Sequence, residues 1–389
     1  MIVCGMQKHH NPSLCLIKDG EVIWYQEERK LSKIKNITGI PFRCIDLLFP
    51  ILGKVDEFVL TGYNYINTES SHVENYLHYK NILPYGQKVC EFYAPHHLAH
   101  ALKSHVDSGF KKARVFVVDG RGSNWYLSDN TTSSFETSSV YDVSETEIKC
   151  IYKKVWSKDN KPAGTTVNFK DYSCVGINEN TKFEISSKLD LGLFYSLVSH
   201  HFGFKKEEEG KFMGYQSYGN FDKKIYSLLK DGVTKKGIKD LPINYDAAHT
   251  AQIYFEEEYA KLVRRFEHDN MIFSGGTALN VINNGKLAKK FKNRNLWFDP
   301  LCEDVGNSIG MARAYLWSNN HKVKPLKNLY ISNTPSPQIT VGKTVDLKDI
   351  MYLLEKGEVV ALFQGKSEAG PRALGNRSLL LDPTLPKGK

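Results

Sequence analysis

No run of about 18 apolar residues occurs in the sequence, so a membrane-spanning helix is not expected. The start, Met1-Ile2-Val3-Cys4-Gly5, carries no basic leader followed by a long apolar core; it reads as a first strand, not a secretory signal. There is no CxxC pair. Seven cysteines are scattered along a chain long enough to build apolar cores, and that odd number suits reduced thiols in a cytoplasm better than a disulfide scaffold. A GxGxxG fingerprint is missing, and the one Gly-Gly loop of interest, at Gly275-Gly276, lacks the Lys-Ser/Thr ending of a Walker loop. Charge is only mildly one-sided: 52 Lys+Arg against 43 Asp+Glu leave +9 over 389 residues, which favours phosphate-bearing ligands slightly. With no concentrated arginine patch and no RRM-like aromatic signature, long nucleic acid is not an expected partner.

What is present is globular. A composition of 41% apolar and 24% charged residues excludes a disordered chain, a collagen and a coiled coil, and the length sets two or three compact lobes. Two β-prone runs flank Asp19-Gly20, a hairpin signal spanning residues 13–28. Helices are predicted over Phe42–Leu48, over 94–107 with Pro95 near the start, over Leu189–Phe204 and over Glu256–Glu267. Strands are predicted at Val55–Leu60, Ala113–Val118 and Met271–Phe273, with a strand-rich stretch from Ser123 to about Tyr152. A small-residue helix is predicted over Gly306–Ala314. Strand, turn with Gly or Asp, then helix, repeated along the chain, defines an α/β fold whose ligands belong at strand ends. The polar stretch 318–345 reads as a boundary, followed by a helix over Leu347–Leu354 and a strand over Val359–Phe363.

Several constellations could carry chemistry. His96 and His100 are four residues apart, which on a helix places both imidazoles on one face. Asp119 ends the following strand, and Asp304 sits in a second strand-end loop; two imidazoles and two carboxylates could close round one divalent ion, with Fe, Mn or Zn favoured over a thiolate metal. HxxxH alone also fits surface or core histidines, and His97 and His105 compete because the helix phase is open. A histidine of the His9-His10 pair could take the proton of an acceptor hydroxyl. Ser274-Gly275-Gly276-Thr277-Ala278-Leu279-Asn280 could let backbone N–H groups approach a phosphate or ribose, or form an ordinary turn. Arg372, Arg377, Lys366 and three glycines in residues 365–378 make a candidate oxyanion cradle, with a basic tail or a strand at Leu379–Leu381 as the bland alternative. Lys211–Gly214 and Thr165–Lys170 read as further loops. Trp125, Tyr215, Tyr218 and Phe221 line either a groove or a core.

These motifs coincide with a family. The stretches HHNPS…DG…EER within residues 5–29, HHLAHA at 96–101, VVDGRG at 117–122, GKFMG at 210–214, SGGTALN at 274–280, EDVGNSIGMA at 303–312 and GPRALGNRS at 370–378 resemble, in order, the O-carbamoyltransferases of nodulation-factor and antibiotic tailoring, the NodU/CmcH type. The resemblance implies a two-lobed RNase-H-like domain of the ASKHA superfamily over residues 1–320, with inserted acceptor-binding segments, in the version shared with the tRNA threonylcarbamoyladenosine enzymes. A boundary over 321–345 and a partial YrdC-like α/β domain over 346–389 would follow. It implies that the small domain makes carbamoyladenylate and pyrophosphate from ATP and carbamoyl phosphate, with Mg2+ as a possible helper. The large domain then passes the carbamoyl group to a hydroxyl and releases AMP. By position, His96, His100, Asp119 and Asp304 fall on the metal ligands, Fe2+ foremost with Mn2+ or Zn2+ as alternatives. His10 falls on the acceptor-side base, and Gly275, Gly276 and Asn280 on part of the nucleotide-holding loops. Arg372 and Arg377 are candidate phosphate contacts. The family's small domain continues well past GPRALGNRS, whereas this sequence stops eleven residues later, at Lys389, so the expectation is impaired adenylate formation beside an intact transfer half.

The alternatives are a sugar or polyol kinase on the same scaffold, a tRNA-modifying transferase, and a degenerate nucleotide-binding scaffold. The acceptor is a hydroxylated small molecule or nucleotide that the residues leave unnamed, its choice expected to rest on segments 62–93 and 123–180.

Overall fold

The computed structural model describes residues 1–52, 55–61, 70–80, 82, 90–92, 96–125, 134–158, 177, 180–230, 232–332 and 342–385. Pro95, Thr165–Lys170 and much of segments 62–93 and 123–180 lie outside the described residues.

Two sheets share one topology. In the first, the order is Glu21–Glu27, Ser13–Lys18, Ile2–Gln7, Glu57–Thr61, Cys90–Phe92. The first three strands form an antiparallel meander and the last two run parallel to Ile2–Gln7. The predicted hairpin turn is present, with Asp19 and Gly20 both left-handed (φ 51° and 82°), as a two-residue turn between twisted strands requires. The second sheet repeats the plan: Ile148–Ser157 and Ser134–Ser144 run antiparallel beside Lys112–Val118, then Asn270–Ser274 and Asn295–Phe298 run parallel to it, with Lys182–Ser186 added at the edge. This is the two-lobed RNase-H-like architecture.

Alternation along each strand sorts side chains onto opposite faces. Cys4, Met6, Leu14, Leu16 and Phe58 pack outward against Cys44, Ile45 and Leu48 of the helix Phe42–Leu52. Val3, Cys15, Ile17 and Val59 face inward. There they share one core with Leu98 and Ala99 of the helix His96–Ser108, with Ile309 and Ala312 of the helix Asn307–Ser318, and with Val115, Val117 and Ile272 of the second sheet. Two helices therefore lie between two sheets. The far face of the second sheet, Phe116, Val118, Met271 and Phe273, is covered by the helices Leu191–His201 and Tyr245–Arg265. Each fully buried large aliphatic or aromatic side chain stabilises by about 1.5–3 kcal/mol.

The two central helices meet closely. A Cβ on Gly310 would stand 2.4 Å from the Ala99 carbonyl oxygen, so only glycine permits this approach. Below it, a buried chain of charges ties the helices together: Lys103 pairs with Asp299 (2.7 Å) and Asp107 (3.3 Å), and Arg313 with Asp107 (2.8 Å).

Several expectations are corrected. Lys211–Gly214 is not a loop but lies in the helix Glu209–Tyr215, pinned by fully buried Phe212 against Tyr195. The long helix begins at Tyr245, capped by the Asn244 side chain, rather than at Glu256. Tyr218 and Phe221 are exposed, whereas Tyr215 packs against the core. The described cysteines Cys4, Cys15, Cys44, Cys150 and Cys302 are buried and unpaired; burial pushes the Cys15 thiol up to about 12 and that of Cys150 to about 11, so neither is poised as a nucleophile. Among the described residues, no helix is long and apolar enough to cross a membrane.

Beyond 341 come the helix Leu347–Glu355 and a hairpin of Val360–Phe363 with Arg377–Leu380. Leu379 and Leu380 lie in the second of these strands, and Leu381 falls just past its end. This tail docks on the first sheet: Ser332 bridges the strand residue Tyr25 and tail residue Ser367, and the Ala369 N–H donates to the Leu329 carbonyl (2.7 Å).

Candidate active site

Three parallel strand ends of the second sheet converge beside the central helices, delivering Asp119 after Lys112–Val118, Ser274 at the end of Asn270–Ser274, and Asp299 after Asn295–Phe298. Asp304 begins a short turn, Asp304–Gly306, that leads into the helix Asn307–Ser318. The one-sided HxxxH of His96–Ser108 faces this point.

His96, His100, Asp119 and Asp304 come together, with one ligand atom from each inside 4.8 Å of the others. His96 Nε2 lies 3.1 Å from Asp304 Oδ1 and 3.3 Å from Asp119 Oδ2; His100 Nε2 lies 3.6 and 3.7 Å from the same oxygens. The two Nε2 atoms face each other at 3.1 Å. Two imidazoles and two carboxylates are crowded together in a buried place, with no lysine or arginine among the four. Burial works against a charged imidazole, yet Asp304 and Asp119 push His96 up to about 10. Burial likewise raises the Asp304 carboxyl, but the His96 and His100 imidazoles outweigh it and hold it well below the usual carboxylate range. The cluster attracts a cation, and its nitrogen and oxygen donors suit a divalent transition metal. Behind it, His100 Nδ1 lies 3.5 Å from Ser274 Oγ, which donates to Asp299 Oδ2 (2.8 Å), the outer support expected of a ligating imidazole.

His97 and His105 do not join. His97 turns the other way, with Nδ1 2.8 Å from Ser139 Oγ, and burial drops it to about 3 beside the buried Glu136–Lys153 pair. His105 is buried, which lowers it too.

His10 lies in a two-residue strand paired with Thr38–Gly39. Its Nε2 contacts the Glu207 carboxylate, which also accepts from Asn11 Nδ2 (3.1 Å). Asn11 and Glu207 are both left-handed (φ 50° and 63°), a conformation that costs a non-glycine residue roughly 1–3 kcal/mol and marks constrained sites. Burial lowers His10, but Glu207 and the charge of Asp304 raise it above its usual 6.5. His10 therefore shares the electrostatic field of the cluster.

The loop residues divide. The Gly276 N–H donates to Asp119 Oδ1 (3.3 Å), at the cluster's edge. Asn280 is buried and turned to structure, capping the helix Val281–Lys290 and exchanging hydrogen bonds with Gln252. Arg372 donates to the Leu279 carbonyl (2.5 Å), while Arg377 donates to the Gly370 carbonyl and pairs with Glu368 (3.1 Å).

Sequence reasoning missed three groups. Asn307, one turn after Asp304, touches both clustered imidazoles, His96 and His100. Glu207 sits in a Lys/Glu run that resembles a solvated face. Glu27 is fully buried and engages Arg29 (2.7 Å), Lys30 (2.8 Å) and the Gly370 N–H (2.8 Å); Arg29 reaches on to Glu303 (3.0 Å). Glu27, Arg29 and Glu303 lie inside quoted motifs, and that was the available signal.

A two-lobed α/β protein with a buried histidine–carboxylate cluster at its strand ends is the class this fold and site define. The model for the carbamoyltransferase N-terminus matches residues 84–259 and 239–313, and that for the carbamoyltransferase C-terminus matches residues 351–389. Since the first covers more than half of the sequence, the chain belongs to the carbamoyltransferase family, a family of transferases. It is 26% identical to the uncharacterized protein MJ1051 of Methanocaldococcus jannaschii, over 98% of this chain and 74% of that one. It is 23% identical to the nodulation protein NolNO of Sinorhizobium fredii, over 96% of this chain and 58% of that one. Among solved structures it resembles component A of the (R)-2-hydroxyglutaryl-CoA dehydratase of Acidaminococcus fermentans, with TM-score 0.46, 14% identity, and coverage of 83% of this chain and 100% of that one.

Proposed function

We propose that the protein transfers a carbamoyl group from carbamoyladenylate to a hydroxyl of an acceptor, releasing AMP. The observation that carries this is the convergence of His96, His100, Asp119 and Asp304 in a family of carbamoyltransferases. Those four residues would hold an iron, manganese or zinc ion. When bound, the ion supplies a Lewis acid beside the phosphate of the mixed anhydride.

The chain's own residues do the rest. A hydroxyl is a weak nucleophile and needs a base within hydrogen-bond reach. His10, held at Nε2 by Glu207, takes the hydroxyl proton at Nδ1 as the oxygen attacks the carbamoyl carbon. The bond from that carbon to the adenylate phosphate oxygen breaks, and AMP leaves with the electron pair. Lys206, whose Nζ stands 3.5 Å from His10 Nδ1, gives way to the acceptor. The Gly276 N–H fixes Asp119, and the Ser274–Asp299 pair fixes His100. The tail motif, with Arg372 and Arg377, belongs to the adenylate-forming half.

The test supplies synthetic carbamoyladenylate and a panel of hydroxylated acceptors to the metal-loaded protein. Stoichiometric AMP and carbamoylated product are expected, with no ADP formed from ATP. Bound metal without transfer to any acceptor, beside unaccelerated hydrolysis of the adenylate, would sink the reading.

A further inference from the structure

Asn307 opens the helix Asn307–Ser318 and is fully buried. Its amide lies against the two imidazoles of the cluster. Nδ2 stands 3.1 Å from His100 Nε2, 3.4 Å from His96 Nε2 and 3.2 Å from His96 Nδ1. Its other end, Oδ1, is buried with no hydrogen-bond partner.

That arrangement is chemically unbalanced once a cation is held. An imidazole that gives its Nε2 lone pair to a metal has nothing left to accept from an amide N–H. Three ring-nitrogen contacts on the donating end and none on the oxygen is the reverse of what the groups want. The two ends of an amide have nearly the same shape, and their partners decide which end faces which way. A half-turn about the last side-chain bond exchanges them. The orphaned oxygen then replaces Nδ2 beside both Nε2 atoms, among the four donor atoms already gathered there.

We propose that Asn307 is a fifth protein donor to the cation, through Oδ1. This rests on the metal reading above and extends it. The donor set becomes two nitrogens and three oxygens. The added oxygen is neutral, so it raises the number of ligands without deepening the negative charge of Asp119 and Asp304. A set of more than four donors disfavours the closed tetrahedron of structural zinc and suits Fe2+ or Mn2+. The helix supports the assignment: Asp304 and Asn307 are three residues apart, as His96 and His100 are four apart, so each central helix, with its lead-in turn, supplies donors spaced by one turn.

The test strips metal from the full chain and titrates Co2+, whose visible absorption is intense in four-coordinate sites and weak in five- or six-coordinate ones. Affinity is read by chelator competition. The native protein should bind one Co2+ with weak absorption. Asn307→Leu, which keeps bulk and loses the oxygen, should intensify the absorption and weaken binding by about 10-fold or more. Asn307→Asp should keep the weak absorption and bind at least as tightly as the native protein. Circular dichroism verifies folding; should the Leu variant not fold, the Asp variant decides, since weaker binding there overturns the proposal. A Leu variant with native affinity and spectrum also overturns it and leaves the four-ligand reading standing. If the native protein takes up no Co2+, Fe2+ or Mn2+, the metal reading falls and this proposal with it.

Discussion

Two buried clusters of charge sit back to back, joined by the consecutive residues Glu303 and Asp304. Around Glu303, the carboxylates of Glu27, Glu303 and Glu368 meet Arg29, Lys30 and Arg377; three negative groups face three positive ones, and backbone N–H groups add to them, Gly370 on Glu27 and Leu374 and Asn376 on Glu368. Around Asp304, two carboxylates meet two imidazoles and no lysine or arginine. The first cluster is electrically closed and works as a latch for the tail. The second has only imidazoles against its carboxylates, and that imbalance is what the proposed cation would fill. Motif residues in both are buried and hydrogen-bonded, so neither burial nor bonding tells a site from a latch; the balance of charge does.

The largest expected effect comes from breaking the second cluster. Asp304→Asn should remove bound metal and cut carbamoyl transfer by at least ~100-fold, while leaving the thermal midpoint of the metal-free protein unchanged or higher. Elemental analysis and AMP release check this. The latch should respond in the opposite sense. Glu27→Ala leaves Arg29 and Lys30 without their buried partner and should cost about 3–5 kcal/mol of stability, read by denaturant unfolding. A latch variant that lost metal but kept its stability would erase the distinction.

A subtler separation uses pH. A general base must be neutral to accept a proton, so transfer should rise with pH through the His10 pKa. Glu207 and Asp304 raise that pKa above 6.5, which places the acid limb of the pH–rate profile on the high side. Glu207→Gln removes one of the two raising charges, and the limb should move to lower pH with metal content unchanged. The smallest effect belongs to the outer latch: Tyr330 donates to the Leu374 carbonyl (2.9 Å) at an exposed position, and Tyr330→Phe should cost no more than about 0.5–1.5 kcal/mol.

Much of this was legible in the residues. The Asp19-Gly20 turn, the HxxxH face and the strand ending at Asp119 follow from local chemistry, and the motif order joined them into one site before any fold was drawn. What escaped has physical reasons. Gly210 and Gly214 bracket Lys211–Met213 and read as breaks, yet Phe212 buries fully and holds that stretch helical. Ala247, Ala248 and Ala251 carry little hydrophobic signal, so the first half of Tyr245–Arg265 was hidden. Asn307 is neutral and small, and a list of titratable groups passes over it. Composition likewise gives no sign that Arg372 and Arg377 each engage a protein carbonyl.

The contact at Gly310 has a consequence for how this centre can change. With no side chain between that residue and the Ala99 carbonyl, main-chain atoms meet directly where the helix carrying His96 and His100 crosses the helix that follows Asp304. That crossing leaves no slack for a larger residue, so the spacing of the four clustered side chains is tied to a glycine outside the cluster itself. A single methyl group at position 310 would prise the jaws apart.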